Sequence, residues 1–474
     1  MDRRCTAGIA TPYRSVCWKH SVGVCVFLLG VLTSWSSPGE AQLDSTFFHA
    51  TLQEWAEHSW IKILDREGAQ GGRLGSEGIL QRFHEDIDSE YQLDKMASRF
   101  GLAEEFEWYS RPNGFRWWAG STTAQELAIR GELRTAVQVG GNWAMGVRVD
   151  LEENTEASRS LVRVSFRRTW NSGVYGFAEG TLDAVKPGSD FEFGAGWQSP
   201  RNPNHKATIS LAILDWWNDF IYLNLNAAHQ GQVDSTLEYV KQPLALRGSV
   251  ALPVGRSVRF EGYGAVMRPT TILAYAELDP QAGFRQTEQV GYLGGLVEWA
   301  VVPAVRVGAF GTYIEASSER YKLSSDVAVD EYKLNERTTQ LGGLVMVRLP
   351  ASLSIEGWVV RGWRPEKRDY LDSSQSDVDY EDRAWSAQLV VGHFPDKGFR
   401  GDVGIVFDRR DVVRGAGQIP SSGGFNQNNY RARFDIGWRF AERAFFLVGW
   451  GIDLDGDGVG RYSGGGRGRF AMYW

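Results

Sequence analysis

The sequence predicts an all-β fold: a transmembrane antiparallel up-and-down β-barrel of about 18 strands, or 16 if the weakest segments are discounted, preceded by a short helical segment. Three observations predict it. Apolar and polar residues alternate with a period of two almost continuously from residue 124 to residue 474. The connections between the alternating segments are, over most of that length, short and long by turns. Finally, nothing after residue 41 approaches the ~18 consecutive apolar residues of a membrane helix, although the chain is rich in aromatics and glycine (19 Trp, 17 Tyr, 24 Phe and 55 Gly).

At the N-terminus, Arg3, Arg4, Arg14 and Lys19 precede the apolar run VGVCVFLLGVL (Val22 to Leu32), and Gly39 and Ala41 have the spacing of a cleavage site. The run is too short to span a membrane, so residues 1–41 are expected to be a cleavable signal peptide. A lipid anchor on Cys25 fits less well, because Val24 stands where a small residue is wanted. All three cysteines (Cys5, Cys17, Cys25) fall in this stretch. The exported chain is therefore expected to use no disulfide, thiol nucleophile or cysteine-bound metal. A net charge of −7 argues against a nucleic-acid partner.

Residues 42–123 do not alternate. Phe48, Leu52 and Trp55 have helical spacing, as do Ile79, Leu80, Phe83 and Ile87. Ser89 and Gln92 form a capping-box pattern ahead of Leu93, Met96 and Phe100, and Gly101 stops the run. Two or three short amphipathic helices are expected here, as a periplasmic bundle or as a plug at the barrel mouth. The segment is too short for the large plug domain of energy-coupled transporters.

The barrel is expected over 124–474, with strand segments near 124–139, 142–152, 160–170, 173–185, 189–198, 206–214, 219–229, 236–252, 256–275, 284–301, 303–318, 334–349, 351–366, 380–394, 398–412, 427–440, 443–455 and 462–474. Their residues divide by parity into two faces. Tyr430, Phe434, Ile436, Trp438 and Phe440 share one parity, opposed by Arg431, Arg433, Asp435 and Arg439. Ala444, Phe446, Val448, Trp450, Ile452 and Leu454 oppose Phe445, Leu447, Gly449, Gly451 and Asp453, and Phe399, Val403, Ile405 and Phe407 oppose Arg400, Asp402 and Asp408. Roughly 20 residues per strand and connection suits a membrane-crossing strand of about 10 residues.

Counted back from the C-terminus, FAER (440–443), FPDKG (394–398), LPAS (349–352), VVPA (301–304) and LPVGR (252–256) are tight, while 455–461, 412–426, 367–380, 318–333 and 276–284 between them are mostly longer and polar. Short turns on one side and long loops on the other are the asymmetry of a membrane barrel. The connections at 139–142 and 152–159 break this rule as counted.

The chain ends GRGRFAMYW, with Phe470, Met472 and Trp474 on one face. This closing strand resembles the C-terminal assembly signal of bacterial outer-membrane β-barrel proteins. The resemblance implies an outer-membrane location, recognition by the barrel-assembly machinery, and contact with membrane lipid and lipopolysaccharide. A helical start before a barrel of this size is also similar in architecture to capsule-attachment barrels.

The polar face is then an inner wall. Arg130, Arg134, Arg148, Arg163 and Arg167 lie on its first three strands, and Arg400, Arg431, Arg433, Arg439, Arg467 and Arg469 on its last ones. Closure would make them one basic wall. Such a wall either selects anionic or acidic-sugar solutes or pairs with Glu132, Asp150, Asp402, Asp408 and Asp435 as a lumen-filling network.

Asp453, Asp455 and Asp457 match the first half of a calcium loop, but Gly464 occupies the position of its bidentate Glu, so an acidic turn competes with a Ca2+ site. No other cofactor is expected. DYLDSSQSDVDYED (369–382) reads as an acidic outer loop and DWWND (215–219) as a periplasmic turn anchored by Trp. His49, His58, His84, His205, His229 and His393 sit in no nucleophile or metal motif, so no enzyme is expected. The expected function is a porin-like channel for hydrophilic, anionic or sugar-like solutes. The alternative is a barrel for attaching or exporting surface polysaccharide.

Overall fold

Backbone N–H and C=O groups find no partners in lipid, so a sheet that faces lipid must satisfy all of them itself. The computed structural model meets this condition by closing one antiparallel sheet on itself. It describes residues 113–474 apart from short breaks, chiefly in the connections. The expected signal peptide, the helical spacing at 42–101 and DWWND (215–219) lie outside the described residues.

The strands β1 (Gly114–Ser121), β2 (Leu127–Gly140), β3 (Trp143–Glu153), β4 (Ser158–Thr169), β5 (Val174–Asp183), β6 (Ser189–Gln198) and β7 (Lys206–Ile213) pair antiparallel in chain order. After them come β8 (Phe220–Asn224), β9 (Asp234–Lys241), β10 (Leu244–Val254), β11 (Val258–Met267) and β12 (Thr270–Ala276). β7 pairs with β10 and β8 with β9, both antiparallel, and β11 and β12 both pair with one long strand, β13 (Asp279–Val302). Thus β7 with β8, β9 with β10, and β11 with β12 each lie along one stave. From β13 the order is regular through β14 (Val305–Lys322), β15 (Tyr332–Arg348), β16 (Leu353–Tyr370), β17 (Val378–His393), β18 (Gly398–Arg414), β19 (Asn426–Arg439), β20 (Ala444–Asp453) and β21 (Gly466–Tyr473). β21 pairs with β1, closing a ring of 18 staves.

The expected strand number holds, but two of its parts change. The segments at 206–214 and 219–229 contribute to one stave, because β7 pairs with β10 and β8 with β9 in the same direction and nearly the same register. The sheet also begins earlier than residue 124, with β1. In GFRWWAGS the neighbours Trp117 and Trp118 put an apolar residue on both faces, which hides the alternation. With both changes made, the tight connection at 140–142 falls on the same end of the barrel as FAER, FPDKG and LPAS, and the exception seen in the sequence disappears.

The turns have matching local chemistry. Ala351 and Ser352 both adopt φ of 59°, the left-handed pair of a type I′ hairpin. The Leu349 N–H donates to the Leu353 carbonyl at 2.8 Å across that turn. At the seam, Asn113 joins three strands: its side-chain oxygen accepts from the Ala136 N–H at 2.7 Å, and its carbonyl accepts from the Trp474 N–H at 3.5 Å.

The outer surface is an apolar band between two aromatic girdles. Trp143, Trp170, Trp197, Trp299, Trp438 and Phe440 are exposed at the short-turn end, and Tyr313, Trp385 and Tyr430 towards the loop end. Exposed Leu293, Leu341, Leu389, Val403, Ile405 and Ile436 lie between. A tilted strand climbs ~2.5 Å per residue along the barrel axis, so the two girdles stand about 20 Å apart, close to the ~25 Å apolar band of outer-membrane barrels.

The seam predicts a cross-link. Ala119 and Gly468 are register partners in β1 and β21, so the Ala119→Cys, Gly468→Cys double variant should form a disulfide on oxidation. A non-reducing gel of the folded protein reads it. Direct pairing of β2 with β21 would leave the two thiols free.

Candidate functional site

Alternation points the polar parity of each strand into the barrel, so the candidate site is the inner wall. Its most organised part straddles the seam. Asp402 on β18 and Asp435 on β19 are directly opposite each other in the register, a placement that two bare carboxylates would resist. Two guanidiniums cancel the repulsion. Arg433 Nη2 donates to Asp402 Oδ1 at 3.0 Å and to Asp435 Oδ2 at 3.1 Å. Arg469 Nη2, on β21, donates to Asp402 Oδ2 at 3.2 Å and pairs with Asp435 Oδ2 at 2.9 Å. All four side chains are buried.

This lattice reaches across an intervening strand. Gly449 of β20 is the register partner of Asp435, and a Cβ there would collide with the Asp435 carboxylate. The missing side chain is the gap through which β19 and β21 make contact. Phe445 and Leu447, fully buried on the same strand, flank the opening.

A second cluster sits on the other side of the seam. Glu132 on β2 accepts from Arg116 Nε on β1 and from Arg148 Nη2 on β3, the latter at 3.0 Å. Farther round, Arg167 Nη2 donates to Gln198 Oε1 at 2.9 Å while its guanidinium lies 3.8 Å from the Tyr175 ring centre. Arg163 stands 4.0 Å from Glu179. Arg400 lies between the rings of Phe394 and Phe445, at 4.7 and 4.1 Å. Arg134 and Arg439 are buried in the same wall.

The structure therefore brings Arg134, Arg148, Arg163, Arg167, Arg400, Arg433, Arg439 and Arg469 onto one inner arc, with Glu132, Asp402 and Asp435 among them. Arg130, Arg431, Arg467, Asp150 and Asp408 occupy matching strand positions, but their side chains lie outside the described residues. Arg116 was missed together with β1. So was an acidic arc across the ring: Glu192 paired with Arg247 at 2.6 Å, Glu298 with Arg306 at 3.1 Å, Glu261 with Arg259, and Glu356 accepting from the Ser354 hydroxyl at 3.4 Å. A single Glu between two outward apolar residues, as in Phe191-Glu192-Phe193 and Val297-Glu298-Trp299, is the signal that would have found it.

The inner face is not uniformly polar. Tyr263, Tyr292, Met267 and Leu296 form a buried apolar cluster on β11 and β13, with the two tyrosine rings 6.1 Å apart. Near the loop end Arg320 donates to Gln286 at 2.7 Å and lies over Phe284 and Tyr332. Of the calcium pattern, Asp453 ends β20 opposite Arg431, and Asp455 and Asp457 lie outside the described residues. Among the described residues no three His, Cys, Asp or Glu side chains are gathered as a metal site. Phe470, Met472 and Trp474 alternate with buried Ala471 and Tyr473, and Phe470 packs 6.1 Å from Phe115 of β1.

No protein-family model and no curated protein matches the sequence. Solved structures of outer-membrane barrels are similar to it in fold. OccK10 of Pseudomonas aeruginosa is 12% identical with a TM-score of 0.35, over 77% of this chain and 99% of that one. A bacterial polysaccharide outer membrane secretin is 8% identical with a TM-score of 0.35, over 77% and 99%. OmpT of Vibrio cholerae, in a loop-deleted form, is 10% identical with a TM-score of 0.33, over 76% and 100%. None of these carries a solute or an activity over to this chain.

The four-residue lattice makes a stability prediction. Removing one partner of a buried ion network leaves an uncompensated charge, at a cost of about 3–5 kcal/mol. Asp435→Ala should lower folding stability by that order, and Gly449→Val should do likewise by forcing Asp435 and Arg469 apart. Urea titration of the barrel reconstituted in lipid vesicles, followed by Trp fluorescence, measures both. An unchanged midpoint in either variant would mean that the lattice does not hold the seam.

Proposed function

We propose that this chain is an outer-membrane channel for hydrophilic solutes, with anionic or sugar-like solutes favoured along the seam. The observation that carries the reading is the charge division of the inner wall. Along β18–β21 and β1–β4 the described guanidiniums outnumber the described carboxylates, whereas across the ring each Glu has an Arg or a hydroxyl partner. Rings and walls of fixed charge set the selectivity of a pore. Gln198 and the ring of Tyr175 help hold Arg167 in place on this wall.

The second reading is attachment or export of a surface polysaccharide. Aromatic inner-wall residues favour it: Tyr263 beside Tyr292, and Tyr332 beside Tyr370 with ring centres 6.3 Å apart. Aromatic faces suit the apolar C–H faces of sugar rings, and both pairs lie on the half of the ring that carries the acidic arc. Outer-membrane lipid, lipopolysaccharide and the barrel-assembly machinery are the partners this location implies. The acidic run at 369–382 contributes to the loop end, where Asp377 accepts from the Tyr370 N–H at 2.9 Å. No catalytic role is proposed for any residue.

Planar-bilayer recording of the refolded protein separates the two readings. The truncation to compare with it removes residues 42–112 and keeps Asn113, whose hydrogen bonds tie β1 to β2 and to Trp474. A steady conductance whose reversal potential in a salt gradient is anion-biased is expected. Arg163→Gln with Arg167→Gln should reduce that bias severalfold while the pore stays open. Conductance appearing only after truncation would favour the polysaccharide reading. Cation bias, or none, would overturn the role of the basic wall.

A further inference from the structure

The outer surface carries, near its loop end, a guanidinium held between two Trp rings. Arg361 of β16 faces outward, sharing its parity with exposed Leu353 and Val359. It lies eight residues above Leu353, about 20 Å up a tilted strand, at the upper edge of the apolar band. Its guanidinium is 4.4 Å from the ring centre of Trp363 and 4.8 Å from that of Trp385. Stacking on rings occupies the faces of the guanidinium and leaves its edge for hydrogen bonding. Arg361 Nε is buried and makes no hydrogen bond among the described residues, so an anion would be met by the Nη groups at the end of the guanidinium.

Its neighbours differ. Arg383, the register partner of Trp363, gives Nε and Nη2 to Glu381 at 2.9 and 2.8 Å. Farther along the same outer surface, Arg337 pairs with Glu315, Lys333 with Glu319 and Lys367 with Asp369. On the other side of Trp385 its register partner on β18 is Arg409, an exposed residue. Two strand spacings, about 10 Å, therefore separate two outward arginines with an exposed Trp between them. Leu341, the register partner of Arg361 on β15, is exposed in the same row, and below the row the surface is apolar, with Val359, Leu389 and Ile405 all exposed.

A charged side chain facing hydrocarbon is destabilising, and the cost falls towards the interface. At the interface an arginine gains by meeting an anion at the height of the lipid headgroups. We propose that Arg361, Trp363, Trp385 and Arg409 form a binding site for the phosphate of a phosphorylated glycolipid of the outer leaflet, whose acyl chains lie along Val359, Leu389 and Ile405. The proposal takes from the functional reading only that the loop end faces outward in an outer membrane; it does not depend on the channel.

Native mass spectrometry of the full-length barrel tests it, with bisphosphorylated lipid A as the probe and dephosphorylated lipid A and phosphatidylglycerol as comparisons. A charge-assisted hydrogen bond is worth about 1.5–3 kcal/mol, so Arg361→Gln should weaken lipid A retention by about tenfold or more. Trp385→Leu should weaken it to a lesser degree. Arg168→Gln serves as the control. It removes an exposed arginine that lies near Trp143 and Trp170 at the opposite girdle, and it should leave retention unchanged. Each variant is first confirmed as folded by its resistance to unfolding in detergent before heating. Equal retention by wild type and Arg361→Gln, or wild-type binding to phosphatidylglycerol as tight as to lipid A, would overturn the assignment. Conductance is expected to stay at the wild-type value in Arg361→Gln, so failure of the lipid site and failure of the channel reading give different results.

Discussion

Closure of the sheet is the constraint on which the rest of this molecule depends. An open edge in hydrocarbon would leave a row of unpaired N–H and C=O groups, each costing several kcal/mol. The chain has to bring β21 back to β1 across more than 300 residues of sequence, the longest-range pairing in the fold. Backbone hydrogen bonds alone are the same at every register of that seam. Side chains have to choose one, and the two ion clusters are placed where they do so. Arg116 on β1 bonds Glu132 on β2, while Arg469 on β21 reaches Asp435 and Asp402, two and three strands away. A two-residue slip of β21 would carry Arg469 away from the opening at Gly449.

The same clusters explain how so many charges coexist inside one wall. Asp402 opposite Asp435, and Arg134 opposite Arg148, are like-charge pairs in register. Each carboxylate pair or single carboxylate is bridged by guanidiniums from neighbouring strands, so repulsion along one strand pair becomes attraction across several. Buried ion networks contribute little to net stability against an apolar alternative, but they penalise misassembly strongly. That suits a barrel, in which almost any strand can pair with any other and the apolar outer face does not discriminate among registers.

Much of this was legible in the sequence because a membrane barrel obeys a strict rule. Alternation exposed the outer face of β18, β19 and β20 residue by residue, and Tyr430, Ile436, Trp438 and Phe440 lie where that rule puts them. What was not legible had a physical cause in each case. β1 is short and carries Trp117 and Trp118 in succession, so its two faces look alike. β7 and β8 looked like two strands because a break inside a stave and a turn between staves have the same composition; only pairing partners distinguish them. At the inner wall, the arginines were readable as a set, but their partners were not. Asp435 meets Arg469 only because Gly449 leaves room, and no pattern in one strand reports a gap in its neighbour. The inner tyrosines were hidden by the assumption that the inward face is polar.

Those departures from strict alternation separate what the barrel needs from what a solute would meet. The rule of apolar outside and polar inside is sufficient for insertion, and residues that only serve it are interchangeable. Residues that break it are not. Tyr263 and Tyr292 bury large apolar surface on a face that water or polar groups would otherwise line, and Arg361 sets a charge on a face that lipid surrounds. The first is a feature of the interior, and the second of the outer surface near the loop end. An inward aromatic surface opposite a basic seam makes the interior asymmetric, so a solute with one charged and one apolar side would be oriented as it entered. Orientation of that kind needs only fixed side chains, and the ion lattice at the seam is what fixes them.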